Sequence, residues 1–254
     1  MEDNFFEPAF RYKILFNILF LLYLTFKTRE FIIDFRKNLS LKRAEENDDH
    51  SLISSALEEL IKFKRLGKMI AFEACSFYYC FFKWKKNNNE KKYFTGYQNN
   101  GITALYLGLM FVSIAEAVTL HYLLISWNRI FAITFLTLHI YLLINLTGHL
   151  KAIFFRNHFI SDEEIIIRYG LFNTLKIPID LIEKINKFEG DYEKNNSLVK
   201  FALLGKLEPH NVSLKLKDKL EIDLPFGIKK KPINILLYID NEMEFLKIVN
   251  SKIQ

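Results

Sequence analysis

With 254 residues the chain has room for two units of ordinary size and not for several large domains. Half of it is hydrophobic, with 25 phenylalanines against 9 glycines and 5 prolines, more aromatic bulk than soluble proteins of this size carry, so a membrane is implied. The net charge of +6 resolves into 20 Lys/Arg and 14 Asp/Glu over residues 1–156 and 15 of each over 157–254. The basic excess therefore accompanies the apolar half, which argues against nucleic-acid binding, because the domain able to present a groove is neutral.

The first apolar stretch, about residues 9–26, carries Arg11 and Lys13 near its start and runs into Lys27-Thr28-Arg29-Glu30. No small-residue cleavage site follows, so it reads as an uncleaved membrane helix. Leu52, Ile53, Leu57, Leu60 and Ile61 then form an amphipathic pattern that continues into a short apolar run, 67–82, containing Glu73. Residues 51–84 are thus an interfacial helix or an additional span. Cys75 and Cys80 lie within this run; five residues apart with nothing else to pair with, they exclude a disulfide framework and read as packing residues.

Residues 103–127 and 130–149 are each long enough at 1.5 Å per residue to cross a hydrocarbon core. The link at Asn128-Arg129 forces an antiparallel hairpin, with Trp127 at the turn, where an interfacial aromatic belongs. The lysines at 83, 85, 86, 91 and 92 put the preceding loop in the cytoplasm, and Lys151 and Arg156 keep the C-terminal part there as well. Three spans leave the basic region 27–100 inside. A fourth, over 67–82, would place nine Lys/Arg of residues 27–66 outside, which the charge rule disfavours.

From residue 157 the period changes to two. Strands are predicted at about 163–169, 173–178, 182–188, 198–204, 211–216, 220–225 and 233–239, punctuated by Gly170, Gly190, Gly205, Pro209 and Gly227. Alternation predicts a hairpin pairing Leu216 with Leu220, Leu214 with Ile222 and Lys215 with Glu221. Asn241 and Glu244 form a capping box before a final helix whose stripe is Leu246, Val249 and Ile253.

Seven strands and a C-terminal helix is the element order of a pleckstrin-homology-like (PH-like) barrel. The run Ile165-Ile166-Ile167-Arg168-Tyr169-Gly170-Leu171-Phe172, with Ile177-Pro178-Ile179 and Ile182-Glu183-Lys184-Ile185, resembles the opening of bacterial PH-like domains attached to membrane helices. The hairpin with Glu116, His121 and Trp127 likewise resembles uncharacterised bacterial membrane proteins of about this length. The resemblance covers about residues 70–185 and implies architecture, with no established activity to carry over. Some similar proteins are labelled carotenoid-cleaving oxygenases, which hold iron with four histidines on a propeller; this chain has too few strands for one. The expected fold is a membrane region over residues 1–156, of three or else four transmembrane helices, followed by a small β-rich PH-like barrel with a C-terminal helix over 157–254.

Glu116 and His139 each lie about a dozen residues from the hairpin turn, hence at one depth, where an ionisable group is costly unless paired. His121 lies nearer the outer end, and Glu73 joins them at mid-depth if 67–82 crosses. Such a cluster serves as a metal site or proton relay, or else simply pins the hairpin; no metal-binding spacing such as His-Glu-x-x-His is present, and no cofactor is expected. Lys229, Lys230 and Lys231 form either a contact for anionic headgroups or a solvated turn. No nucleophile elbow, phosphate-binding glycine loop or CxxC pair occurs. These features predict a non-enzymatic membrane protein whose cytoplasmic PH-like domain binds a protein or lipid. The alternative is an intramembrane metal-dependent enzyme or transporter component using Glu116 and His139. The Lys, Asn, Ile and Phe bias points to an AT-rich bacterial source and hence to the inner membrane.

Overall fold

A computed structural model describes residues 6–43, 48–85, 93–188, 190, 197–201, 208–223 and 229–253, with side chains from Phe16 onward apart from those of Lys64 and Asn173. Lys86, Lys91, Lys92, Gly205, Leu224 and Gly227 fall outside the described residues. The chain forms two compact units, residues 1–71 and 72–254.

In the first unit, helix α1 (Phe6–Lys42) runs for 37 residues without a break and includes the first expected span. Its single proline, Pro8, sits in the opening turn, where a missing N–H costs nothing. The hydroxyls of Thr25 and Thr28 donate to the carbonyls of Leu22 and Leu24, at 2.8 and 2.7 Å, so the helix satisfies them without water. Helix α2 (Asp49–Leu60) buries Ala56 and Leu57 and is tied to the end of α1 by an ion pair between Lys42 and Glu59 at 2.8 Å.

Helix α3 (Lys64–Phe77) continues as a π-helical turn, Tyr78–Phe82. Helices α4 (Ile102–Ile125) and α5 (Arg129–Phe155) form the expected hairpin. Asn128 caps α5, its side-chain oxygen accepting from the N–H groups of Ile130 and Phe131 at 2.8 and 3.3 Å. Among the described residues α4 and α5 are the helices long and apolar enough to cross a membrane. Their buried positions include the small residues Ser113, Ala117 and Ala132, whereas Phe111, Tyr122 and Ile130 are more than 70% exposed. Small residues inside and large apolar ones outside is the packing that a hydrocarbon solvent favours.

The strand-rich region begins before the hairpin. Strand β1 (Tyr93–Phe94) pairs antiparallel with β2 (His158–Ile160), so the two ends of the hairpin are hydrogen-bonded side by side. Strands β3 (Glu164–Tyr169) and β4 (Asn173–Pro178) complete a sheet of order β1-β2-β3-β4. A 3-10 turn, Ile179–Leu181, leads to β5 (Ile182–Lys187), and then come β6 (Leu198–Lys200), β7 (Val212–Leu216), β8 (Ile222–Asp223), β9 (Lys229–Lys230) and β10 (Asn234–Leu237). A second sheet has the order β5-β7-β10-β6, with β6 parallel to β10, while β8 and β9 pair separately. Helix α6 (Glu242–Ile253) inserts Phe245 and Val249 into a core shared with Ile165 and Ile177 of the first sheet and Ile182, Val212, Leu214 and Ile235 of the second.

Two expectations are corrected. Strand pairing among the described residues leaves two four-stranded sheets and the separate β8–β9 pair and does not close a barrel; the chain changes sheet through the turn after Pro178. The hairpin expected between 211–216 and 220–225 does not form. Strand β7 is instead central, with β5 on one edge and β10 on the other. Val212, Leu214, Leu216 and Ile222 are buried as the alternation requires, but alternation selects a face and leaves the partner open. Lys215 accordingly pairs with Glu183 at 2.7 Å, and Glu221 with Lys229 and Lys231.

Candidate functional site

The hairpin brings two of the residues singled out in the sequence close to each other. His139 Nε2 lies 3.8 Å from a Glu116 oxygen, and His139 Nδ1 donates to the Phe135 carbonyl at 2.8 Å. With the Nδ1 proton committed, a favourable contact needs a further proton on either His139 Nε2 or Glu116.

Glu73 does not join them. Its carboxylate accepts a short hydrogen bond from the Tyr141 hydroxyl, and Tyr141 follows His139 by two residues, which puts it on the opposite side of α5. The two acids are thus at one level on different faces of one helix. His121 contributes to neither pair; its ring lies edge-on to Tyr122 at 6.3 Å. Among the described residues no three His, Cys, Asp or Glu side chains come together in a way that could hold a metal ion.

A second polar concentration, at the base of the hairpin, was not expected from the sequence. His149 on α5 and Arg156, seven residues later at the helix C-cap, clasp the turn between β3 and β4. His149 Nδ1 accepts from the Leu171 N–H at 3.1 Å, and its ring packs against Tyr106, Tyr169 and Phe172. Arg156, 2% exposed, donates to the Gly170 carbonyl and to the Thr174 hydroxyl, the latter at 2.7 Å. Gly170 has φ +48°, and a Cβ there would run into the His149 ring; glycine is needed for both reasons. On the other flank of the hairpin, the Asp240 carboxylate accepts from the N–H groups of Tyr97, Gln98 and Asn99, each at 3.1 Å.

Between these clasps lies a pocket of about 30 Å³, room for a few waters or one small polar group. His158, Asn157, Arg168, Glu208 and Tyr238 line it. The Arg168 N–H donates to His158 Nδ1 at 3.2 Å, so the neutral ring keeps its proton on Nε2, the atom that packs against Gly96. Burial, reinforced by the charge of Arg168 and opposed by that of Asp240, lowers the pKa of His158 to about 4. Glu208 is buried and accepts from the Tyr169 hydroxyl at 2.6 Å. With the guanidinium groups of Arg156 and Arg168, the Glu208 carboxylate and a neutral imidazole, the pocket presents hydrogen-bonding groups and, among the described residues, no activated nucleophile.

Lys229 and Lys231 both reach Glu221, and their hydrogen bonds hold its carboxyl below the usual carboxylate range. Lys230 stands opposite Ile222 in the β8–β9 pair. No protein-family model, curated protein or solved structure matches this chain.

Proposed function

We propose that the chain is a non-enzymatic integral protein of the bacterial inner membrane, which holds a PH-like β region at the cytoplasmic face and uses it to bind a partner protein. The observation that carries this reading is the joint. Helix α5 runs straight into β2, β1 and β2 pair across the mouth of the hairpin, and buried His149 and Arg156 grip the β3–β4 turn. A flexible tether would need none of this, whereas a joint of buried polar contacts sets the orientation of the β region relative to the helices. Three spans, with α1 as the third, draw on the stretch 14–26 of that helix, which carries no charged residue. Two four-stranded sheets on one core, with α6 packed into it, support a PH-like reading of the region. A protein partner is preferred to lipid because Glu221 already engages two of the three lysines. The alternative, an enzyme or transporter component working through Glu116 and His139, rests on a single pair. Photo-crosslinking residues placed at exposed Lys176, Glu183 and Lys247 of the membrane-bound protein in cells should give an adduct of discrete mass from one face. Absence of any adduct, or adducts of indiscriminate mass from every face, would remove the partner reading.

A further inference from the structure

Near the C-terminal end of α5, Lys151 is bound to the end of the helical run that stops at Phe82. A helix end leaves its last carbonyls without backbone donors, and here side chains supply them. Lys151 Nζ donates to the Cys80 carbonyl at 3.0 Å, and Trp84 Nε1 donates to the Phe81 carbonyl at 2.7 Å. The same ammonium stands over the Trp84 ring, 3.7 Å from its centroid. A carbonyl and an indole are both neutral, so among the described residues no carboxylate answers the charge of Lys151. Trp84 and Phe82 are 72% and 73% exposed. With its N–H satisfied inside the chain, Trp84 presents apolar ring surface that the protein's own core does not use.

Position indicates what covers that surface. About 33 Å separates Arg129 from Lys151 along α5, which is one hydrocarbon thickness. The chain's two tryptophans therefore stand at the two ends of the hairpin: Trp127, 76% exposed, at the turn, and Trp84 beside Lys151. Tryptophan at both levels is the pattern of a membrane interface. The two ends differ in charge. Residues 83–92 hold five lysines and one acid, Glu90, whereas the turn carries Arg129 alone. A ring that suits the glycerol level and an ammonium that suits the phosphate match a phospholipid headgroup, and the local excess of lysine favours one with net negative charge.

Resting on the membrane reading above, we infer that the Trp84–Lys151 pair seats an anionic phospholipid of the inner leaflet, its phosphate on the Lys151 ammonium and its glycerol level against the Trp84 ring. The seated lipid holds the end of α5 at headgroup level. Trp127→Phe leaves Trp84 as the chain's one tryptophan, and its fluorescence reads the lipid beside it. The full chain carrying that substitution is reconstituted into phosphatidylcholine vesicles. These contain brominated phosphatidylglycerol or, at equal mole fraction, brominated phosphatidylcholine, with bromine high on the acyl chain in both. Both lipids should quench Trp84, and phosphatidylglycerol should do so with a relative binding constant of about five. Lys151→Gln keeps a donor for the Cys80 carbonyl and should bring the two lipids to parity, whereas Lys151→Arg should keep the preference. Equal quenching by the two lipids, or a preference that survives Lys151→Gln, would overturn the site. Trp84→Phe reports on Trp127 alone in the same vesicles. Quenching of Trp127 without quenching of Trp84 removes the lipid seat and leaves the membrane reading standing; quenching of neither removes both.

Discussion

The imidazole of His158 is held neutral inside the joint, and its titration has a definite sign. Folded, it titrates at about 4, and unfolded near 6.5. Between those values the unfolded chain binds the extra proton, so stability is full above about pH 6.5 and falls as pH drops toward 4. The slope approaches about 1.4 kcal/mol per pH unit, and the total loss is on the order of 3 kcal/mol. Chemical denaturation of the detergent-solubilised protein at pH 7 and pH 5 should show the loss, and His158→Gln should flatten it. If both proteins lose stability equally between these pH values, His158 is not the group responsible. Gly170 makes a second prediction at this scale. Gly170→Ala forces a Cβ into the His149 ring at a positive φ and should cost about 2 kcal/mol or more. The same substitution at Gly190, whose φ is also positive but where a Cβ meets nothing, should cost less.

At the scale of elements, legibility followed periodicity. The hairpin was readable to within a few residues because two apolar runs separated by two polar residues admit no other arrangement. Trp127 and Asn128 then lie at the turn, as α4 and α5 have it. The period-two stretches became β3, β4, β5 and β7. Strand β1 was invisible, since two residues carry no period and their partner, β2, comes more than sixty residues later. The partners of β7 are hidden from the sequence for a different reason. A three-residue turn signal at Lys217-Asp218-Lys219 suggested a hairpin, whereas β5 and β10 cover both edges of the strand. Hydrogen exchange distinguishes the two arrangements: amides of Val212–Leu216 should be protected to the level of global unfolding, and Ile222 and Asp223 should exchange much sooner. Equal protection over 212–223 would restore the hairpin. Of the candidate sites, the Glu116–His139 pair followed from depth alone.

For the molecule as a whole, the second unit couples a hydrophobic hairpin to a β region through buried polar contacts, and separating them should be costly. Arg156→Leu leaves the Gly170 carbonyl and Thr174 without their donor and should destabilise the β region by about 2 kcal/mol or more. Protease cleavage between the hairpin and β3 should appear in that variant under conditions where the parent resists. The central claim concerns which solvent meets which surface, and single-cysteine labelling answers it most directly. With Cys75 and Cys80 replaced by alanine, one cysteine is placed at Lys176 or Lys247 in the β region, or at Arg129 beside the hairpin turn. An impermeant maleimide is then applied to right-side-out and inverted inner-membrane vesicles. The β-region positions should label only in inverted vesicles and position 129 only in right-side-out ones, with the protein resistant to carbonate extraction throughout. Release of the chain by carbonate, or labelling of all three positions from the same side, would show that the hairpin does not cross the membrane and that the joint serves another purpose.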